Sequence, residues 1–149
     1  YVRPQNYPNH EKFLVRLKKY LQDSKDSSSY AFNVLDGLVD SETMDTYAST
    51  AYDAVYTLAL AIAKANSPIA GDVAKNIRYI ANSDPKAEII NPNEFAKVAS
   101  ALQKGKRLNY TGASGPVEFD NKGDVTGGSY TVWRVSKGRY TVTRIITFP

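Results

Sequence analysis

The sequence predicts one α/β domain in which several helices precede a short β-meander, an order that α+β architecture also allows. Three observations predict it. The length of 149 residues suits about one domain. The composition, with 42% hydrophobic and 23% charged residues, is that of an ordinary globular protein. After Lys106, the spacing of apolar residues changes from the helical period to the alternation of a strand.

The first helix is predicted over residues 10–22, where apolar side chains recur on one helical face. Asn9 is the expected N-cap. His10 follows in the first turn on the exposed side, so we interpret it as a surface residue rather than a catalytic one. Residues 23–29 are rich in serine and are predicted to form a loop. Residues 30–39 are predicted to be a short extended piece.

The strongest helix is predicted over residues 49–65. Thr50 and Asp53 resemble a capping box with aspartate in place of the usual glutamate, which would put Asp53 at the helix N-terminus. Because the segment is apolar around most of its circumference, we expect it to be packed on more than one side. Its main apolar face is expected to comprise Tyr52, Val55, Tyr56, Ala59 and Ile62.

Two shorter helices are predicted over residues 72–81 and 93–104. Loop-forming residues end the first of them after residue 81. The second opens on an Asn93 cap ahead of Glu94 and ends at Gly105, which takes the C′ position. Both helices carry apolar residues at helical spacing, so each is expected to bury one face.

Three strands are predicted in the C-terminal part of the chain, around residues 117–119, 130–135 and 140–148. Alternation marks the first two, and β-branched residues are frequent in the third. Turns are expected at residues 120–123 and 136–138, where glycine accompanies polar residues. These turns would join the three strands into the meander.

The composition argues against several kinds of chemistry. The chain has no cysteine, which removes thiol nucleophiles, disulfides and cysteine-ligated metals. His10 is the only histidine, so a serine triad would have to use it as its base. No nucleophile, base and orienting group can be assembled, so we expect no catalytic residue and no enzyme. The longest apolar stretch, residues 58–63, is far shorter than the ~20 residues that span a bilayer.

Two glycine-containing motifs resemble ligand loops. Residues 112–115, Gly-Ala-Ser-Gly, lack the lysine of a phosphate loop and precede a strand, so a turn is predicted. Asp120 and Asp124 flank Gly123 as in a calcium loop, but the other oxygen ligands are missing and a hairpin turn explains them. No metal and no cofactor are therefore expected.

The pI of about 9.2 leaves nucleic-acid binding as a minor alternative, although the basic residues suit solvated helix faces.

A family resemblance rests on two motifs. Residues 51–62, Ala-Tyr-Asp-Ala-Val-Tyr-Thr-Leu-Ala-Leu-Ala-Ile, are followed by Gly-Pro-x-x-Phe-Asp-x-x-Gly-Asp at residues 115–124. In this order they resemble the C-terminal part of type I periplasmic binding proteins, the Leu/Ile/Val-binding-protein-like receptors that deliver solutes to ABC transporters. Residues 128–138 are similar to the closing strands of that family. Together the matches span about residues 47–142.

The resemblance implies two α/β lobes that are joined by hinge strands and close on a small ligand. Such a protein would need about twice this length at ~150 residues per domain, so residues 1–149 are expected to be a single C-terminal fragment. Within it, residues 1–44 would lie near the first lobe crossing. Residues 45–128 would form the helical portion of a lobe, and residues 129–149 would supply the closing strands.

The resemblance also implies a function, which is the extracytoplasmic solute-binding component of an ABC transporter for amino acids or related small molecules. The expected partners are that ligand and a membrane permease, with no nucleic acid, and the expected location is periplasmic or membrane-anchored outside a bacterial cell. Tyr47 lies a few residues before the Tyr-Asp-Ala motif, where the family often has an aromatic cleft residue, and is the expected ligand-binding residue. Ordinary packing is the alternative for Tyr47. The alternative function is the ligand-sensing domain of a signalling receptor or regulator.

Overall fold

The computed structural model describes residues 8–23, 42–82, 86–92 and 94–148. Helices dominate the first part of the described chain, and strands dominate the last part. This mixture of helices and small sheets confirms the predicted α/β class. In chain order the elements are α1 (Pro8–Asp23), α2 (Glu42–Ala65), α3 (Ala70–Ile80), β1 (Glu88–Ile90), α4 (Phe95–Gln103), β2 (Leu108–Tyr110), β3 (Gly128–Ser136) and β4 (Arg139–Phe148).

The named strands form two small sheets. β1 and β2 are parallel, with Ile90 opposite Tyr110 at their carboxyl ends, and α4 is the crossover between them. β3 and β4 form an antiparallel hairpin. Its two-residue turn consists of Lys137 and Gly138, whose φ angles of 51° and 73° suit a type I′ turn. The turn predicted at residues 136–138 is therefore confirmed.

The buried core lies between α2 and the elements that follow it. Leu60 of α2, Ile80 of α3 and Leu102 of α4 are fully buried. Leu108 and Tyr110 of β2 complete the same cluster. Burying a leucine or isoleucine side chain stabilises a protein by ~1.5–3 kcal/mol. α2 is therefore the element against which α3, α4 and the parallel strands pack.

α2 begins at Glu42, well before the predicted start of this helix. The capping-box prediction is wrong, because Thr50 and Asp53 lie inside the helix rather than at its N-terminus. The buried face includes three polar residues, Ser49, Asp53 and Thr57, at a spacing of four. A prediction from the spacing of hydrophobic residues misses a buried helix face when polar residues occupy part of it.

The predicted apolar face of α2 is wrong in part for the same reason. Tyr56 is buried as expected, but Val55 is 69% exposed and Ile62 is exposed as well. Leu60, which lies off the predicted stripe, is fully buried. Among the described residues, α2 is covered on one side rather than enclosed.

The start of α1 also differs from the prediction. The helix begins at Pro8, so Asn9 lies in its first turn and not at the N-cap. His10 is 7% exposed, and its interpretation as a surface residue is wrong. His10 precedes Phe13, Leu14 and Leu17 at helical spacing, which places it on the apolar face of α1 and accounts for its burial. Asn9 is buried as well, where it contacts the loops after β1 and β2.

The strands differ most from the prediction. The sequence does not predict β1 and β2, because three-residue strands are too short to show an alternation. The strand predicted around residues 117–119 is not formed, and Phe119 makes only an isolated bridge to Val125. The extended piece predicted at residues 30–39 lies outside the described residues.

The observed ends of α4 lie close to the predicted ones. Glu94 takes the N-cap position, for which Asn93 is predicted, and its side chain makes no capping hydrogen bond. At the other end, Gly105 follows the C-cap residue with a φ of 79°. The Gly105 amide donates to the Leu102 carbonyl oxygen over 3.0 Å. The predicted C′ glycine is therefore confirmed.

Candidate functional site

The carboxyl ends of β1 and β2 lie side by side. Ligands of open α/β sheets bind outside the carboxyl ends of the parallel strands, so this edge is the candidate functional site. The loops that leave the two strands are joined where the Thr111 amide donates to the Ile90 carbonyl oxygen over 3.0 Å. We name this edge the strand-end site and define it by Asn9, Asn91, Thr111 and residues 112–115.

One side chain ties α1 to the strand-end site. The Asn9 amide nitrogen donates to the side-chain oxygen of Asn91 and to the carbonyl oxygen of Thr111, each over 2.9 Å. Both of its N–H groups are used in this way, which explains how the amide can be buried. Beside it, His10 Nδ1 is buried without a hydrogen-bond partner in the described part of the chain. The first turn of α1 thus brings polar groups to the site.

Asp53 is a buried carboxylate directly behind the strand-end site, with 2% of its surface exposed. Its Oδ1 accepts hydrogen bonds from the Tyr110 hydroxyl over 2.7 Å and from the Ala113 amide over 2.8 Å. Its Oδ2 accepts from the amide of Ser114 over 2.6 Å and from the hydroxyl of the same residue. Four neutral donors thus meet one carboxylate and supply the hydrogen bonds that a buried charge needs.

Tyr110 ends β2 and links Asp53 to the core. Its ring stacks on Tyr56 of α2 with ring centroids 4.9 Å apart. The pKa of Tyr110 is raised far above its ordinary value, first by burial and then by the negative charge and hydrogen bond of Asp53. The hydroxyl therefore stays protonated and keeps donating to the carboxylate.

The two glycines of the 112–115 turn serve different purposes. A Cβ on Gly112 would lie 2.3 Å from Asp53 Cγ, so the backbone approaches the carboxylate at a distance that only glycine permits. Gly115 has a φ of 114°, which side chains strongly disfavour. The Gly112 amide closes the turn by donating to the Gly115 carbonyl oxygen over 2.8 Å. The predicted turn is confirmed, and its amides bind Asp53.

A groove lies between α1 and α2, apart from the strand-end site. Its volume is about 300 Å³, and it is lined by Phe13, Arg16, Leu17, Tyr20 and Tyr52. The rings of Phe13 and Tyr52 lie 5.1 Å apart, and Tyr52 stacks on Tyr56 at 5.8 Å. Burial raises the pKa of Tyr52, and the Arg16 guanidinium opposes that rise. A row of aromatic rings therefore connects this groove with Tyr110 behind the strand-end site.

Asp120 stabilises a turn and does not need a metal to explain its position. Its Oδ1 accepts hydrogen bonds from the amides of Lys122 over 2.7 Å, and of Gly123 and Asp124 over 2.9 Å. These bonds, that of Asp124 first, hold the pKa of Asp120 below its usual range. The turn predicted at residues 120–123 is confirmed. Among the described residues, no three His, Asp or Glu side chains form a group that could hold a metal.

Tyr47 lies in α2, and its side chain is outside the described part of the structure. Its role as a ligand-binding residue stays a prediction. The sequence does not single out Asn91, Tyr110 or the Asp53 contacts as parts of a site. One signal was available for Asp53, since polar residues at a spacing of four in a mostly apolar helix indicate a face with hydrogen-bonding partners.

The fold is that of an α/β domain, with the strand-end site at the carboxyl ends of its parallel strands. A family model described as the receptor family ligand binding region matches residues 8–138. This chain belongs to that family, whose domains have the type I periplasmic-binding-protein fold and bind ligands without catalysing reactions. The predicted resemblance is therefore confirmed. No curated protein and no solved structure matches the chain. None of the described helices is both long and apolar enough to cross a membrane.

Proposed function

We propose that the protein is the extracytoplasmic solute-binding component of an ABC transporter and that it binds an amino acid or a related small molecule. The observation that carries the proposal is the convergence of α1, the β1 and β2 strand ends and the 112–115 turn, in a chain of the ligand-binding family. The proposal includes a membrane permease as partner. It also includes a periplasmic location or a membrane anchor outside the cell.

Binding is proposed to occur by closure of two lobes. A ligand favours the closed state only when it contacts that state more extensively than the open one. The strand-end site would form one wall of the cleft. Asn91 is exposed there and its side-chain oxygen accepts a hydrogen bond from Asn9, so we expect its amide nitrogen to donate to a ligand carboxylate. Tyr47 would contact the apolar part of the ligand.

The first test is a thermal-shift screen of the full-length protein against the amino acids. A ligand at 100 times its Kd stabilises the folded state by ~2.7 kcal/mol, which raises the Tm by about 5–10 °C. We expect one chemical class of amino acid to give such a shift. Shifts with none of them would contradict the proposed ligand class.

The second test measures the contribution of Tyr47. Tyr47→Ala should weaken binding of the selected amino acid about tenfold or more, because an aromatic contact is lost from the cleft. Tyr47→Phe shows whether the ring or the hydroxyl is needed. Tyr20→Ala is the matched control, since Tyr20 is an exposed tyrosine on α1 and lines the separate groove. Unchanged affinity of Tyr47→Ala would remove Tyr47 from the proposed site.

A signalling receptor remains the second candidate, because the family description that matches the chain is that of receptors. The flanking parts of the gene distinguish the two functions. A secretory or lipoprotein leader with a neighbouring permease gene supports transport. A transmembrane or kinase segment in the same reading frame supports signalling.

A further inference from the structure

The donors around Asp53 form a concave group that would suit any small carboxylate. The amides of Ala113 and Ser114 are consecutive in the chain and donate to the same anion. The Ser114 and Tyr110 hydroxyls complete the group. Successive backbone N–H groups that converge in a turn are known as nests, and nests bind anions in many proteins. The anion bound here belongs to the chain itself.

The fit between the nest and its anion is close on every side. Each oxygen of Asp53 accepts two hydrogen bonds, so neither is left for water. The backbone of Gly112 covers the carboxyl group so closely that no Cβ could be placed there. Both Asp53 and Tyr110 are buried, which strengthens hydrogen bonds to the charged acceptor.

We propose that the turn of residues 112–115 is an anion-binding nest for a small carboxylate and that the side chain of Asp53 is its resident ligand. Asp53 is thus a positioning residue. It fixes the turn, and with it one side of the strand-end site, to α2. The hydrogen bonds to the Asp53 carboxylate of α2 therefore hold the turn in place, in addition to the hydrogen bond within the turn itself.

The experiment is chemical rescue of Asp53→Gly in the full-length protein. This substitution removes the CH₂–COO⁻ group and leaves space for formate beside the four donors. We expect the Tm to fall by about 10 °C and a formate titration to restore at least half of that loss. Sodium chloride at equal ionic strength and formamide, which has the same shape but no charge, should restore none of it.

Two controls separate rescue of the nest from general stabilisation. Leu60→Ala removes fully buried apolar volume from the same helix, so formate should not raise its Tm. Asp53→Asn keeps the side chain in place, so formate has no room to bind and should not stabilise it. If Asp53→Gly is unfolded in buffer, formate should restore folded protein during refolding, and formamide should not.

A spectroscopic readout locates the effect. In the ¹H–¹⁵N spectrum, the Ala113 and Ser114 amide protons should lie downfield because both make short bonds to a carboxylate. They should move upfield in Asp53→Gly and return with formate. Equal stabilisation by formate and chloride, rescue of Leu60→Ala, or amide signals that do not respond to formate would each overturn the proposal. These readouts hold whichever solute the protein binds.

Discussion

The substitution Gly112→Ala tests the close approach between the 112–115 turn and α2. A Cβ at this position would lie 2.3 Å from Cγ and Oδ2 of Asp53 and 2.4 Å from Oδ1. Non-bonded carbon contacts need about 3.5 Å. The carboxylate or the turn must therefore move by roughly 1 Å to admit a single methyl group.

A displacement of that size has a predictable free-energy cost. The bonds of 2.6–2.8 Å from Tyr110, Ala113 and Ser114 to Asp53 would stretch beyond the range of a hydrogen bond. Hydrogen bonds to a charged group contribute about 1.5–3 kcal/mol each, and a buried charge that loses its partners costs about 3–5 kcal/mol. Because the turn can relax in part, we expect a loss of about 3–5 kcal/mol in the free energy of unfolding. The corresponding fall in Tm is about 6–20 °C.

Urea unfolding of the wild type, Gly112→Ala and Gly71→Ala measures this effect. Gly71 lies in the first turn of α3 with no atom within 4 Å of its built Cβ, so alanine there should stabilise the protein by about 0.4–1 kcal/mol. The same chemical change is thus expected to have opposite signs at the two positions. A loss below about 0.5 kcal/mol for Gly112→Ala would refute the reasoning, since surface substitutions alone produce changes of that size.

Two further predictions concern the turns. Asp120 has a folded pKa below its ordinary value, so its hydrogen bonds stabilise the fold above the unfolded pKa of about 3.9, and this contribution is lost as the pH falls through the lower folded pKa. An NMR titration of its carboxyl carbon should show a midpoint below that of an unfolded peptide, and a midpoint at or above it would contradict the account. Lys137 has a φ of 51°, which asparagine tolerates better, so Lys137→Asn should raise the free energy of unfolding by about 0.5–1 kcal/mol in urea titrations. No gain would show that the turn adjusts its backbone without cost.

Local signals predict the helices, the turns and the class of the fold. Gly105 ends α4 because a glycine after the last apolar residue favours a left-handed C′ position, and no distant contact is needed for that. The Lys137 and Gly138 turn follows from local chemistry in the same way. The motifs at residues 51–62 and 115–124 carry the family resemblance that the family match confirms.

Distant partners decide the features that the sequence does not predict. The spacing of Thr50 and Asp53 suits a capping box, but a helix boundary depends on packing beyond that spacing, and α2 continues back to Glu42. The role of Asp53 depends on donors more than fifty residues away in the chain. Asn9 is held by Asn91 and Thr111, which lie 82 and 102 residues away from it in the chain. No periodicity within α1 or α2 contains that information.

The measurement that tests the central claim most directly is the mapping of ligand-induced amide shifts in ¹⁵N-labelled full-length protein. The titrant is the amino acid that raises the Tm. If solute binds where the parallel strands end, the largest shifts should fall on Asn91, Thr111 and the 112–115 turn. The turn of the β3–β4 hairpin should respond least. Shifts that centre on the hairpin, or on the groove between α1 and α2, would contradict the assignment of the strand-end site.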